Sequence, residues 1–396
     1  MGIVKISDNV YSVGVINPSL RVFDIVMQAK YGTSYNAYLV TGKKNVLIET
    51  VHEDYFEEYI YNIGCLVDVK DIDYIVMNHT ELDHSGSLLK LLSINPDITV
   101  VCTNVANKYL KSILNKDFKC KAVKHEETLD LGDKSLKFIV APLLHWPDSM
   151  MTYLENDKVL FSCDFLGCHF CEPTMFDSNI KYKNEYLGEF KYYYDAIFGP
   201  FKPYVLAGLE KIKDLLIEII CPSHGPVLVC EIKERLDDYK RWSTKKDKQN
   251  KTIVIGYASA YGCTKKLAEK AFDTVKNNSN VEPILIDVVS TPLDELSCKI
   301  NDADALLIGS CTINRDAPKF IWDALSSIDA INTKSKAAGA FGSYGWSGEA
   351  VDMIKSRLSQ LKYKFIGDGV KANFQPTDDD LKSMEDYCMQ ILKEIK

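Results

Sequence analysis

Residues 78–86 read NHTELDHSG, which puts His79, Glu81, Asp83 and His84 within six positions. Two imidazoles and two carboxylates crowded this closely are costly unless positive charge sits among them. The stretch follows IDYIVMN (72–78), an apolar run that reads as a buried strand, so the four side chains are expected in a loop beyond a strand end. The chain has only seven histidines, and other positions repeat this placing. His145 in APLLHWPDS, Asp164 in VLFSCDF and His224 in CPSHG each come just after an apolar run. Side chains at several strand ends, gathered at one sheet edge, are how a ligand set is commonly assembled. Any one of these histidines alone reads as a satisfied core or surface residue. Together with H-x-E-x-D-H they read as a metal site.

A second metal reading competes with the first. Cys163, Cys168 and Cys171 have the C-x4-C-x2-C spacing of plant-type iron–sulfur proteins. The next cysteine, Cys221, is far downstream, and Asp164 lies inside the run, so a cluster is not expected there. At 396 residues the chain calls for two or three domains. Its net charge of −8 argues against nucleic acid and anionic membrane as partners. Residues 1–30 carry no basic-then-apolar leader, and no run is long enough to span a bilayer, so a cytoplasmic chain is expected. Twelve cysteines without regular pairing read as reduced thiols.

The two halves of the chain differ. Residues 1–240 hold short apolar runs broken by turns, such as NAYLVTGKKNVLIET, where GKK signals a hairpin. RWSTKKDKQNK (241–251) is polar, charged and without apolar period, and reads as a linker over 241–250. Beyond it TIVIGYAS, PILIDV, ALLIGS and KAAGAFGS alternate with helix-like stretches such as TKKLAEKAFDTVKN. That alternation predicts a doubly wound parallel sheet over 251–396.

GYASAYGCTKKLAEKA (256–271) leaves a strand and opens a helix. Ser259, Tyr261 and Thr264 supply hydroxyls, Gly262 frees the backbone, and the helix start offers unpaired N–H groups to an anion. Neither the P-loop spacing nor G-x-G-x-x-G is present. Two later strand ends, GSCTIN (309–314) and FGSYGWSGEA (341–350), belong to the same edge. Tyr344 and Trp346 among glycines suit a planar aromatic ligand, with ordinary core aromatics as the alternative.

The H-x-E-x-D-H run, His145, Asp164 and the PSHG histidine resemble the metallo-β-lactamase superfamily. A carboxylate at position 81, where most of its hydrolases have a second histidine, resembles the flavodiiron proteins, which hold two irons in place of zinc. The three later loops resemble the FMN site of flavodoxins, and FGSYGWSGEA is close to the flavodiiron form. The resemblance runs along the whole chain. It implies a metallo-β-lactamase-like αββα sandwich followed by a flavodoxin-like domain. It also implies two iron ions, one on His79, Glu81 and His145 and one on Asp83, His84 and His224, with Asp164 bridging and His169 supporting the ligands from behind. The donor set agrees, because imidazoles mixed with carboxylate oxygens suit iron or manganese better than the softer sites of zinc.

The resemblance places FMN among Ser259, Ala260, Tyr261, Gly262, Cys263 and Thr264, then Cys311, Thr312, Ile313 and Asn314. Ser343, Tyr344, Gly345, Trp346, Ser347 and Gly348 complete that set. Cys311 stands where many relatives have proline. Some relatives also carry a histidine near the pocket where this chain reads RVFDIVMQAKYGTSYN, with Asp24 nearest. No rubredoxin-like pair of CxxC motifs and no NAD-binding module occur, so an external donor is expected, a rubredoxin-like protein or a reduced deazaflavin. An iron pair and FMN together hold the four electrons that take dioxygen to two waters, and two suffice to couple two nitric oxides. Dioxygen reduction in an oxygen-sensitive cell is the expected activity, with nitric oxide reduction second. A zinc hydrolase with an accessory flavodoxin and a plain flavin electron carrier are the more distant readings. A head-to-tail homodimer, or a dimer of dimers, is expected to bring the flavin of one chain to the metals of another.

Overall fold

The computed structural model describes residues 3–245 and 250–395. The chain divides into two compact units, Met1–Lys245 and Lys246–Lys396.

The first unit is built on two sheets. One has seven strands in the order Val4–Lys5, Val10–Ser12, Tyr38–Val40, Asn45–Ile48, Ile72–Met77, Thr99–Thr103 and Cys120–Val123. The other has five, in the order Thr128–Asp130, Ser135–Val140, Met150–Leu154, Val159–Cys163 and Ile219–Pro222. Side chains alternate between the faces of a strand, so one strand supplies two cores. Val46, Ile48 and Val76 of the first sheet share an interior cluster with Phe138, Leu154 and Phe161 of the second. Their neighbours Leu47, Ile75, Leu160 and Ile220 point outward into a cluster with helical Tyr59, Leu110, Phe190 and Tyr239. Sheet faces sheet, with helices outside: the αββα sandwich expected from the resemblance. GKK does mark a hairpin, because Tyr38 pairs with Ile48 and Val40 with Val46, antiparallel.

The second unit is a parallel sheet in the order Glu282–Asp287, Thr252–Ala258, Ala305–Cys311 and Ala337–Tyr344. Lys364–Phe365 and Val370–Asn373 both pair in parallel along the far edge of Ala337–Tyr344. This is the flavodoxin-like order, in which the first strand in sequence lies between the second and the third and marks the topological switch point. Its two faces bury separate clusters, one holding Leu267, Ala271, Met384 and Ile391, the other Leu296, Ile321, Ile354 and Leu358.

Two local expectations need correction. The expected linker begins too early, because the helix Ile232–Ser243 takes in Arg241, Trp242 and Ser243. That helix buries Arg235, Tyr239 and Ser243, spaced four apart, so packing overrides its polar composition. Residues 246–249 lie outside the described residues. The run 78–86 is also not all loop: Asp83 and His84 sit on a single helical turn, Leu82–Ser85. Among the described residues no helix is long and apolar enough to cross a membrane.

Candidate metal centre and flavin loops

Both sheets of the first unit contribute to one buried group of side chains. His79 and Glu81 follow the strand Ile72–Met77, and Asp83 and His84 lie on the turn beyond. His145 comes from the connection after Ser135–Val140, Asp164 directly follows Val159–Cys163, and His224 follows Ile219–Pro222. His79, Glu81 and His145 form one trio whose ligand atoms lie within 4.8 Å of one another, and Asp83, His84 and His224 form a second.

Asp164 faces both trios. Its Oδ2 lies 3.5 Å from His145 Nε2 and 4.0 Å from His79 Nε2, while Oδ1 lies 3.2 Å from His84 Nε2 and 3.3 Å from His224 Nε2. Within the trios, Glu81 Oε2 is 3.1 Å from His79 Nε2 and 3.4 Å from His145 Nε2. Asp83 Oδ2 is 3.0 Å from His224 Nε2 and 3.4 Å from His84 Nε2. All four imidazoles therefore aim Nε2 inward. The three cysteines of the rival reading form no such group: of the metal-capable groups among the described residues, one includes a cysteine, Cys163 with Glu49 and His84.

What holds the rings is mostly absent from the motif. His79 Nδ1 donates to Asp148 Oδ2 at 3.2 Å, and that same oxygen accepts from the backbone N–H and hydroxyl of Thr80 at 2.9 and 2.8 Å. His224 Nδ1 donates to the Ser34 carbonyl at 2.7 Å. Glu49 Oε2 lies 3.7 Å from His84 Nδ1, while its Oε1 accepts from the Asn78 N–H at 2.8 Å. Supports of this kind fix which ring nitrogen is free to ligate. Sequence reading missed Asp148 and Glu49, the first because it sits in an ordinary-looking PDS turn. Glu49 looks like a polar strand end, and nothing local marks it as buried.

The electrostatics show a pocket short of positive charge. Burial disfavours every ion here, and among the seven ligand candidates mutual attraction outweighs it. Against that penalty, the Asp148 and Glu81 carboxylates hold His79 up at about 10, and Asp164 and Asp83 hold His224 at about 9. Despite its burial, Asp164 is held well below the usual carboxylate range by His84 and the other imidazoles. Burial pushes Glu49 up to about 8 against the pull of His84 and His79. The buried Asp83 Oδ1 and His84 Nε2 lack hydrogen-bond partners, although Asp164 is close to the latter. Orphaned, inward-facing donor atoms around a bridging carboxylate fit a pair of cations. His169 behaves differently: burial and the nearby His224 lower it to about 3, and its Nδ1 pairs with Thr33 Oγ1 at 2.9 Å. It packs edge-on against the His224 ring and is in neither trio.

In the second unit the three expected loops lie at the carboxyl ends of three adjacent strands. Ser259–Gly262 links Thr252–Ala258 to the helix Cys263–Asn278, and Gly262 at φ +83° stands at its start. A Cβ placed on Gly262 would meet nothing within 4 Å, so bare backbone faces open space, as a phosphate cradle requires. Thr264 differs from expectation: it is fully buried, and its hydroxyl shares a 2.7 Å hydrogen bond with Ser343, tying the first loop to the third. Thr312 N–H donates to the Ser343 carbonyl at 3.0 Å, which joins the Cys311–Asn314 loop to the same pair. Tyr261 is 91% exposed and Trp346 84%, so neither is a core aromatic, whereas Tyr344 is half-buried against Gly348. A third exposed ring, Phe374, packs beside Gly345 and was missed because KANF reads as a plain strand end. Solvent-exposed rings over open backbone at the switch point suit a flat ligand with a phosphate tail.

Comparison with known proteins gives the same division. Residues 33–225 match the ODP family of beta lactamases and residues 255–386 match flavodoxin. The chain is 50% identical to the flavo-diiron protein FprA2 of Clostridium acetobutylicum, over 99% of this chain and 100% of that one. It is 32% identical to the anaerobic nitric oxide reductase flavorubredoxin of Escherichia coli, over 99% of this chain and 82% of the relative. Rubredoxin oxygen:oxidoreductase from Desulfovibrio gigas shares the fold at a TM-score of 0.72 and 29% identity, over 99% and 98% of the two chains. With its two sheets around a carboxylate-bridged histidine cluster and its flavodoxin sheet, the chain belongs to the flavodiiron protein family. These are oxidoreductases with a non-haem diiron site and FMN.

Proposed function

We propose that this protein reduces dioxygen to water at an iron pair supplied with electrons by FMN, and so protects an anaerobic cell. The observation that carries the reading is Asp164 facing two separate trios, each containing one carboxylate residue and two histidines. His79, Glu81 and His145 would hold one iron and Asp83, His84 and His224 the other, with Asp164 reaching both. When bound, the irons and FMN supply the redox chemistry, and together they store the four electrons that dioxygen needs. The protein's part is placement. Asp148 and the Ser34 carbonyl fix two imidazole orientations, and burial excludes bulk water from the ligands. The 259–264 turn would hold the FMN phosphate, and the 311–314 and 343–348 loops, with Trp346, would hold its ring system.

Nitric oxide reduction to nitrous oxide at the same site is the second reading, favoured by the likeness to the E. coli flavorubredoxin. The donor is a separate rubredoxin-like protein or a reduced deazaflavin. The protein works in the cytoplasm, without nucleic acid or membrane as partner. It pairs head to tail as a homodimer, or as a dimer of dimers, so that electrons cross between chains. Metal analysis together with oxygen uptake tests the reading. Iron near two per chain and uptake with a reductant support it. Zinc would return the site to hydrolase chemistry, and iron without uptake of either gas would leave a flavin carrier.

A further inference from the structure

Away from the metal ligands, Cys102 and Cys120 bring two thiols together. Cys102 lies on the strand Thr99–Thr103, and Cys120 opens the neighbouring parallel strand, Cys120–Val123. All twelve cysteines are free, and among the described residues this is the one pair of cysteine sulfurs at hydrogen-bond distance, 3.7 Å apart. Cys102 is fully buried, whereas Cys120 is half-buried at the rim of the same apolar cluster. One thiol is therefore sheltered while the other can be reached from solvent. The Cys102 S–H, as donor, lowers the Cys120 thiol below its usual value, helped by the Lys111 ammonium and opposed by burial. The same pairing, with burial, holds Cys102 up. Along the ladder Cys120 faces Val100 and Cys102 faces Ala122, an offset of two positions. A disulfide needs its sulfurs about 2.05 Å apart, so closing a bridge here requires the strands to shift. Cys120–Val123 can give way, because it is the last strand of its sheet and is paired along one side. A bridge closed against such an offset is strained, and strained bridges are the readily reduced kind.

We propose that Cys102 and Cys120 form a redox-active dithiol that reduces hydrogen peroxide to water and is reset by a low-molecular-weight thiol. The dithiol acts independently of which gas the metal pair reduces. Cys120, as thiolate, attacks one peroxide oxygen: an S–O bond forms and the O–O bond breaks. The departing hydroxide takes up the proton that Cys120 released and becomes the first water. The Cys102 sulfur then attacks the Cys120 sulfur, so that an S–S bond forms and the S–O bond breaks. The second hydroxide leaves with the Cys102 thiol proton as the second water. Two thiols have lost two electrons and two protons, and the peroxide has gained both. Two molecules of a small thiol then return the electrons and protons to the cysteines and leave joined as their own disulfide.

The test treats the full chain, loaded with FMN and fully oxidised iron so that no ferrous iron competes, with an equal amount of hydrogen peroxide. Remaining thiols are then alkylated, cysteine pairing is read by peptide mass spectrometry, and peroxide is followed by chemical assay. In the wild type a bridge joining Cys102 to Cys120 should form before the exposed Cys65, Cys230 and Cys298 are oxidised. About one peroxide should be consumed per bridge, and glutathione should reopen it with about one glutathione disulfide formed. Cys102→Ser should stop at a sulfenic acid on Cys120, captured by dimedone, and Cys120→Ser should leave Cys102 reduced. A wild-type pair that stays reduced, or oxidises no sooner than the exposed cysteines, would overturn the dithiol. So would a folded Cys102→Ser variant in which dimedone captures nothing at Cys120. The wild-type comparison needs no substitution, so it decides even where serine at the buried position impairs folding.

Discussion

At position 81 a carboxylate stands in place of an imidazole, and the proposed role of that one side chain is to set the metal preference of its trio. Glu81 Oε2 lies between His79 and His145 at 3.1 and 3.4 Å, so a replacement must reach the same point. Glu81→His should shift metal content toward zinc and abolish oxygen reduction while FMN stays bound, as read by elemental analysis and the flavin spectrum. Unchanged turnover would sink the assignment. Asp148 tests the support behind the ligands. Its Oδ2 accepts from His79 Nδ1 and from Thr80, and the residue is fully buried. Asp148→Asn keeps the shape but can present an amide N–H to the ring, so His79 loses its fixed tautomer. A loss of metal affinity of roughly 10–100-fold is expected by titration against a chelator; an unaltered affinity would show that the ring is held by packing alone. The seven ligand candidates were legible because they fall soon after strand ends and include four of the chain's seven histidines. Asp148 and Glu49 were not, since their importance comes from burial against residues distant in sequence.

Among the elements, the turn from Thr252–Ala258 into the helix Cys263–Asn278 has the sharpest local requirement. Gly262 sits at φ +83°, where a non-glycine residue costs on the order of 1–2 kcal/mol and a β-branched one more. The space beside it is open, so a side chain there meets no protein atom but would take the room proposed for the phosphate. Gly262→Val should therefore yield a colourless second unit with iron retained in the first, measured by flavin release and metal content. A yellow protein at full occupancy would contradict the assignment. Strand–helix alternation made this unit legible from sequence, because period and length separate buried strands from amphipathic helices. The buried bond between Thr264 and Ser343 was illegible, since loops 79 residues apart meet only once the sheet forms. The extension of Ile232–Ser243 into the expected linker was hidden for a similar reason: Lys233, Glu234, Asp237, Lys240 and Arg241 are exposed, while Arg235, Tyr239 and Ser243 are buried by residues distant in sequence.

For the whole molecule the account requires that electrons held by FMN reach the irons. The 259–264 turn begins soon after the helix ending at Ser243, and each proposed cofactor site gathers loops that follow the strands of its own unit. The proposed two-fold pairing, the commonest oligomer symmetry, would bring the flavin of one chain to the metals of another. Mixing His79→Ala with Gly262→Val by co-expression should give mixed dimers with one intact flavin facing one intact iron pair, and these should recover part of the activity. Inactive mixed dimers, with both parents still dimeric, would rule out transfer between chains. The central claim is the identity of the gas and its product. Its most direct measurement is steady-state turnover of dioxygen and of nitric oxide by the iron-loaded, FMN-replete protein under one reductant, with hydrogen peroxide assayed throughout. The account predicts faster turnover of dioxygen, four electrons consumed per molecule and no peroxide released. Faster nitric oxide turnover, or peroxide accumulating in step with oxygen loss, would contradict it.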